Sequence, residues 1–107
     1  MKKILFLLAT VSLGASLPVH AKGNYEAGKA KSAACAACHG ADGVSTVPSF
    51  PILAGQNHDY LYHALKDYKS GKRKNPLMAG QVENLSDADM ADLAIYFSKQ
   101  KGLTLKY

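Results

Sequence analysis

Cys35-Ala36-Ala37-Cys38-His39 is the stretch that decides how this 107-residue chain is read. On a helical turn the two cysteines stand at i and i+3, so both sulfurs project from one face. They can then reach two vinyl groups on neighbouring pyrroles of a single haem, with His39 following directly and aimed at the iron. The alanines between them let a porphyrin lie against the backbone. A disulfide across the same pair would close too short a loop to stabilise much, and a thioredoxin-like redox pair would need βαβ surroundings that the sequence does not offer. Zinc would need four ligands. Beyond Cys35, Cys38 and His39 only His58 and His63 remain as nitrogen donors, and they lack paired spacing. The motif therefore predicts one covalently bound haem c.

N-terminal to the motif, Lys2 and Lys3 precede a weakly polar to apolar run from Ile4 to Leu17, and Val19-His20-Ala21 places small residues three and one before a cut. This is the pattern of a secretory signal peptide over residues 1–21, leaving a domain at 22–107. The run is too short for a spanning helix and no later segment is longer, so no stable membrane insertion is expected. Nor does a cysteine follow the cut to carry lipid. The full chain has 13 Lys plus Arg against 8 acids; without Lys2 and Lys3, eleven against eight leaves +3. That excess is small and no nucleic-acid-reading module accompanies it, which excludes a nucleic-acid binder. A domain this small is marginal on side-chain packing alone, so a bound group that fills its interior is physically apt.

The surrounding sequence is helical, with ordered loops. Asn24 caps an expected helix from Tyr25 to about Ala34, and Gly28 inside it suggests close approach of another backbone. Residues 40–55, with Gly43, Pro48, Pro51 and Gly55, read as an ordered loop. From Asn57 to Ser70 the residues Leu61, Ala64, Leu65 and Tyr68 fall on one helical face, and Gly71 stands at the stop. A basic, proline-containing connection, Lys72 to Met78, leads through Gly80 to a helix capped by Ser86. Asp89 completes its capping box, Leu85 can staple onto Met90, and Met90, Leu93, Ala94 and Phe97 form its buried stripe up to a stop at Gly102. The expectation is an all-α domain of three main helices and ordered loops around one haem.

An iron held by His39 needs a second axial ligand, and Met78 and Met90 compete for that position. Met90 fits the buried stripe, whereas Met78 is expected in a loop stiffened by Pro76, where no helical pattern claims its side chain. Histidine-methionine ligation raises the reduction potential and leaves no open coordination position, which favours electron transfer. His58 and His63 read as first-turn and polar-face residues of their helix. Arg73 is a candidate partner for a haem propionate or a solvated surface residue. Tyr60, Tyr62, Tyr68, Tyr96 and Phe97 read as packing groups. Charge is uneven: residues 66–74 carry Lys66, Lys69, Lys72, Arg73 and Lys74 against Asp67, while residues 83–92 carry Glu83, Asp87, Asp89 and Asp92. The basic segment is expected to rim the methionine side and to steer a negatively charged partner, or else simply to be solvated.

With these residues placed, the chain resembles the class I c-type cytochromes, specifically the small bacterial periplasmic branch that also supplies the halves of certain dihaem cytochromes. The motifs are Cys35-Ala-Ala-Cys38-His39-Gly40, Phe50-Pro51-Ile-Leu53-Ala54-Gly55-Gln56, Tyr68-Lys-Ser-Gly71-Lys-Arg73, Asn75-Pro-Leu-Met78, Leu85-Ser86-Asp-Ala-Asp89 and Ala94-Ile-Tyr96-Phe97. The resemblance implies first and last helices that cross at Gly28 and the Tyr96 turn. It also assigns Met78 as distal ligand and has the Pro51 carbonyl accept the ring N–H of His39. It implies a periplasmic one-electron carrier rather than an enzyme, exchanging electrons with redox donor and acceptor proteins. The alternatives are a haem-bearing subunit of an oxidoreductase such as a flavoprotein dehydrogenase and, more remotely, a ligand-binding or peroxidatic haem protein.

Overall fold

Five helices follow one another in the computed structural model: α1 (Tyr25–Lys31), α2 (Ala33–His39), α3 (His58–Ser70), α4 (Pro76–Val82) and α5 (Asp87–Ser98). The structure describes residues 23–103 together with 4, 5, 7–10, 12 and 14. The expected signal peptide at 1–21 therefore lies largely outside the described residues, and its cleavage site wholly so. Among the described residues there is no strand. The chain is all-α, as expected, with two short helices beyond the three main ones.

The crossing of α1 and α5 is the largest contact in the fold. Gly28 is buried there, and a Cβ on it would lie 2.0 Å from the Asp92 carbonyl oxygen and 2.8 Å from the Tyr96 Cβ, so only hydrogen lets the two backbones meet. Asp92 locks the crossing from the other side. Its carboxylate accepts the Asn24 N–H at 2.7 Å and the Lys31 ammonium at 2.6 Å, and Lys31 also pairs with Asp89 at 2.7 Å. Read from the sequence as part of an acidic stretch, Asp92 is in fact buried.

The expected first helix breaks at Ser32. No glycine or proline causes this. The Ser32 hydroxyl donates to the Lys29 carbonyl at 2.8 Å, a local bond that competes with the helical ladder, and the chain restarts as α2. α3 begins and ends as expected, with the Asn57 side chain accepting from the Asp59 and Tyr60 N–H groups and Gly71 closing the helix in the left-handed region. It packs on α5. Their contact forms the core, Leu61, Leu93, Ala94, Tyr96 and Phe97, against which Tyr25, Cys35, Leu53 and Leu65 rest. Full burial of a side chain such as Leu93 stabilises by about 2 kcal/mol.

The connection after Arg73 departs from expectation, because Met78 lies in a helix rather than a loop. The Asn75 side chain accepts from the Leu77 and Met78 N–H groups and Pro76 occupies the first turn, so the residues read as a stiff approach are a start signal. α5 opens with the expected Ser86–Asp89 capping box, and Met90, Leu93, Ala94 and Phe97 are all buried. It stops at Ser98, short of Gly102. The Gln100 side chain and the Lys99 N–H both donate to the Tyr96 carbonyl, satisfying the last turn early.

Candidate functional site

α2 carries three of the expected site residues in one helix. Cys35 is half-buried against the core, where burial pushes its thiol pKa up, while Cys38, one turn on, is exposed. Both thiols are free. His39 closes the helix and is 7% exposed. Its Nδ1 lies 2.8 Å from the Pro51 carbonyl oxygen. A carbonyl can only accept, so Nδ1 carries the proton and donates, and Nε2 keeps its lone pair for a metal. Phe50 stands edge-on to the ring at 6.4 Å.

The other candidate ligand, Met78, sits half-buried in the first turn of α4, beside Leu77, which is 70% exposed. α4 packs on α3 and α2 on α1, so the two candidate axial ligands are carried by separate parts of the fold. Met90 is 3% exposed in the α5 stripe, a packing position.

The family model described as cytochrome c matches residues 25–101. The chain belongs to the cytochrome c family. It is 50% identical over 101 residues to a cytochrome c4 of Pseudomonas aeruginosa, covering 94% of this chain and 50% of that one. A thiosulfate dehydrogenase electron acceptor of Thiomonas intermedia is 38% identical over 96 residues, 89% of this chain and 44% of that protein. The crystal structure of reduced recombinant cytochrome c4 from Pseudomonas stutzeri superposes with a TM-score of 0.72 at 48% identity, covering 76% of this chain and 47% of the other. The chain thus spans about half the length of the cytochromes c4 it matches.

This class I c-type cytochrome has haem c as its cofactor, and the donor set fits that group. Two free thiols a turn apart, an imidazole held at Nδ1 with Nε2 available and a half-buried thioether are the ligand chemistry that covalent haem requires. Val47 and Ile52, 45% and 39% exposed, leave apolar surface uncovered on the loop that carries Pro51, as a site for an apolar macrocycle would.

Arg73 is exposed, and aromatic rings hold it. Its guanidinium donates to the Tyr60 hydroxyl at 3.2 Å and lies 5.1 Å from the Tyr68 ring centre, and the Tyr60 bond raises its pKa. His58 and His63 are exposed on α3, the first 3.2 Å from the Asp59 carboxylate and the second beside the Tyr62 ring.

The expected charge dipole of this cytochrome partly closes on itself, because α3 and α5 lie side by side. Lys66 approaches Asp87 at 3.6 Å, Lys69 donates to the Leu85 carbonyl, and Lys31 takes Asp89 and Asp92. What stays exposed of the basic segment's distal end is Lys72, Arg73 and Lys74. The sequence reading also missed two roles. The Tyr96 hydroxyl donates to the Ala41 carbonyl at 3.3 Å, tying the loop after His39 to α5, and Asp92 clamps α1. The spacing of Asp89, Asp92 and Tyr96 at i, i+3 and i+7 was the available signal for a face turned toward α1.

Proposed function

We propose that the protein is a one-electron carrier of the periplasm, exported by its 1–21 leader and acting as a carrier rather than an enzyme. Cys35 and Cys38 would hold the haem through thioethers, each thiol adding across one vinyl group. His39 Nε2 and the Met78 sulfur would be the axial ligands. The haem iron supplies a ferric–ferrous couple. The chain's own residues would fix its environment: Pro51 sets the His39 tautomer and raises its basicity, and a Met78 ligand would favour the ferrous state. The observation that carries this reading is the His39 Nδ1–H bond to Pro51, which leaves Nε2 free at the end of the helix bearing both cysteines. Family membership supports electron transfer as the activity. Among the described residues no helix is long and apolar enough to cross a membrane.

Protein matured in a host with haem-attachment machinery should give a haem-stained band on a denaturing gel. A colourless product with a Cys35–Cys38 disulfide would overturn the proposal.

The partner we propose is a redox protein with an acidic docking face, received by Lys72, Arg73 and Lys74 next to exposed Leu77 on the Met78 side. The Tyr60 and Tyr68 contacts fit Arg73 better as part of this surface than as a dedicated propionate partner. Reduction rates should fall steeply with ionic strength and Lys72→Glu should slow encounter; a salt-independent rate would exclude this face. A second reading, a haem-bearing subunit of an oxidoreductase, is favoured by the likeness to the thiosulfate dehydrogenase electron acceptor. Co-elution of natively purified protein with a larger partner would select it.

A further inference from the structure

The His39–Pro51 bond is only as fixed as the backbone that carries the Pro51 carbonyl, and that backbone belongs to neither helix nor strand. Two sets of ties hold it. On one side the Gly43 carbonyl accepts both the Leu53 N–H at 2.8 Å and the Ala54 N–H at 3.1 Å, while the Gly43 N–H donates to the Gly40 carbonyl at 3.0 Å. The residue after the ligand is thereby joined to the residues after its tether. On the other side the Gly55 N–H donates to the Phe97 carbonyl at 3.0 Å and the Leu103 N–H to the Ala54 carbonyl at 2.8 Å, which binds the same segment to the end of α5.

A glycine with no room for a side chain stands at each tie, Gly43 within the first and Gly102 packed on Ala54 beside Leu103 at the second. Gly43 has φ +74, and a Cβ there would lie 2.8 Å from Phe97 Cδ1 and 3.0 Å from the Ala54 nitrogen. At Gly102 a Cβ would lie 2.6 Å from the Ala54 Cβ and 2.8 Å from its carbonyl oxygen, the oxygen that accepts from Leu103. We propose that Gly43 and Gly102 are positioning residues for the His39 ligand, clamping residues 53–55 from two sides so that the Pro51 carbonyl stays on Nδ1. The proposal rests on the reading of His39 as an iron ligand. Its consequence is electronic as well as structural. A firm Nδ1–H···O bond makes Nε2 a stronger donor and favours ferric iron, so loosening the clamp shifts the couple toward the ferrous state.

The test uses the haem-loaded protein with Gly43→Ala and Gly102→Ala, against Asp92→Asn, which weakens the α1–α5 crossing without touching the clamp. Both glycine variants should shift the reduction equilibrium about threefold toward the ferrous form, equivalent to about 30 mV for one electron. They should also speed solvent exchange of the His39 Nδ1–H. Asp92→Asn should lower Tm and change neither. Should Gly43→Ala fail to mature, Gly102→Ala, whose φ is ordinary, carries the test. In the unaltered protein the Nδ1–H should exchange as slowly as the Leu53 and Ala54 amides. Falls in Tm with potential and exchange unchanged would overturn the proposal and leave the ligand reading intact. Absence of paramagnetically shifted His39 ring protons in the unaltered ferric protein would overturn both.

Discussion

The surroundings of the two proposed haem ligands, His39 and Met78, are built differently. His39 is buried, and ties to residues remote in sequence hold its surroundings: Pro51 on Nδ1, Gly43 to Leu53 and Ala54, Gly55 to Phe97 and Tyr96 to Ala41. Met78 rests on a seven-residue helix secured by one cap, with Val82 as that helix's only buried residue and Leu77 facing water. Long-range ties are lost only when the domain unfolds, whereas a capped turn can open locally. On the proposed ligand assignment the histidine side is therefore expected to be the fixed wall and the methionine side the one that opens first.

The largest effect that would break this comparison comes from the α1–α5 crossing. Gly28→Ala places a methyl group against the Asp92 backbone, which cannot move without parting α1 from α5, and should cost about 3 kcal/mol by chemical denaturation. A loss confined to α4 would contradict the assignment of the fixed wall. Next in size, Asp92→Ala strips partners from the Asn24 N–H and Lys31 and should cost about 2 kcal/mol, again globally. On the methionine side Asn75→Ala removes the α4 cap, worth about 1 kcal/mol. Hydrogen exchange should then quicken about fivefold in α4 while the Leu93 amide is unchanged. Equal acceleration in both would mean that the two sides open together.

These differences were unevenly legible. The cap at Ser86 and the stripe through Met90, Leu93, Ala94 and Phe97 read correctly, because cap and periodicity agree there. α4 did not, since Pro76 and Gly80 look like loop residues in a segment too short to show a period, although Asn75-Pro76 is also a helix start. Nor did the Ser32 break, which depends on where one hydroxyl points. The motif named Cys35, Cys38 and His39, and the family resemblance named Pro51. The ties of Gly43 to Leu53 and Ala54, and of Leu103 to Ala54 where Gly102 packs, could not be read, because they join residues ten or more apart that share no local pattern. Charge misled in the same way: spacing along the chain separates residues 66–74 from 83–92, and packing brings Lys66 to Asp87.

The smallest effect concerns pH. The Lys31 ion pair, with help from the Ser86 backbone, lowers the Asp89 pKa to about 2 from its ordinary 3.8. A lowered folded-state pKa stabilises above 3.8, and that contribution is lost as pH falls from 3.8 toward 2. Asp89→Asn should flatten the acid limb of the stability profile in that window and leave its slope near neutrality unchanged; an unaltered acid limb would mean that the pair with Lys31 does not persist in solution.

The central claim, that His39 and Met78 are the axial ligands, is tested most directly by the optical spectrum of the haem-loaded ferric protein at neutral pH. Met78→Ala should abolish the far-red sulfur-to-iron charge-transfer band and, once reduced, let carbon monoxide bind. Met90→Leu should keep the band at a cost of about 1 kcal/mol in stability. A band that survives Met78→Ala, or disappears with Met90→Leu, would contradict the account.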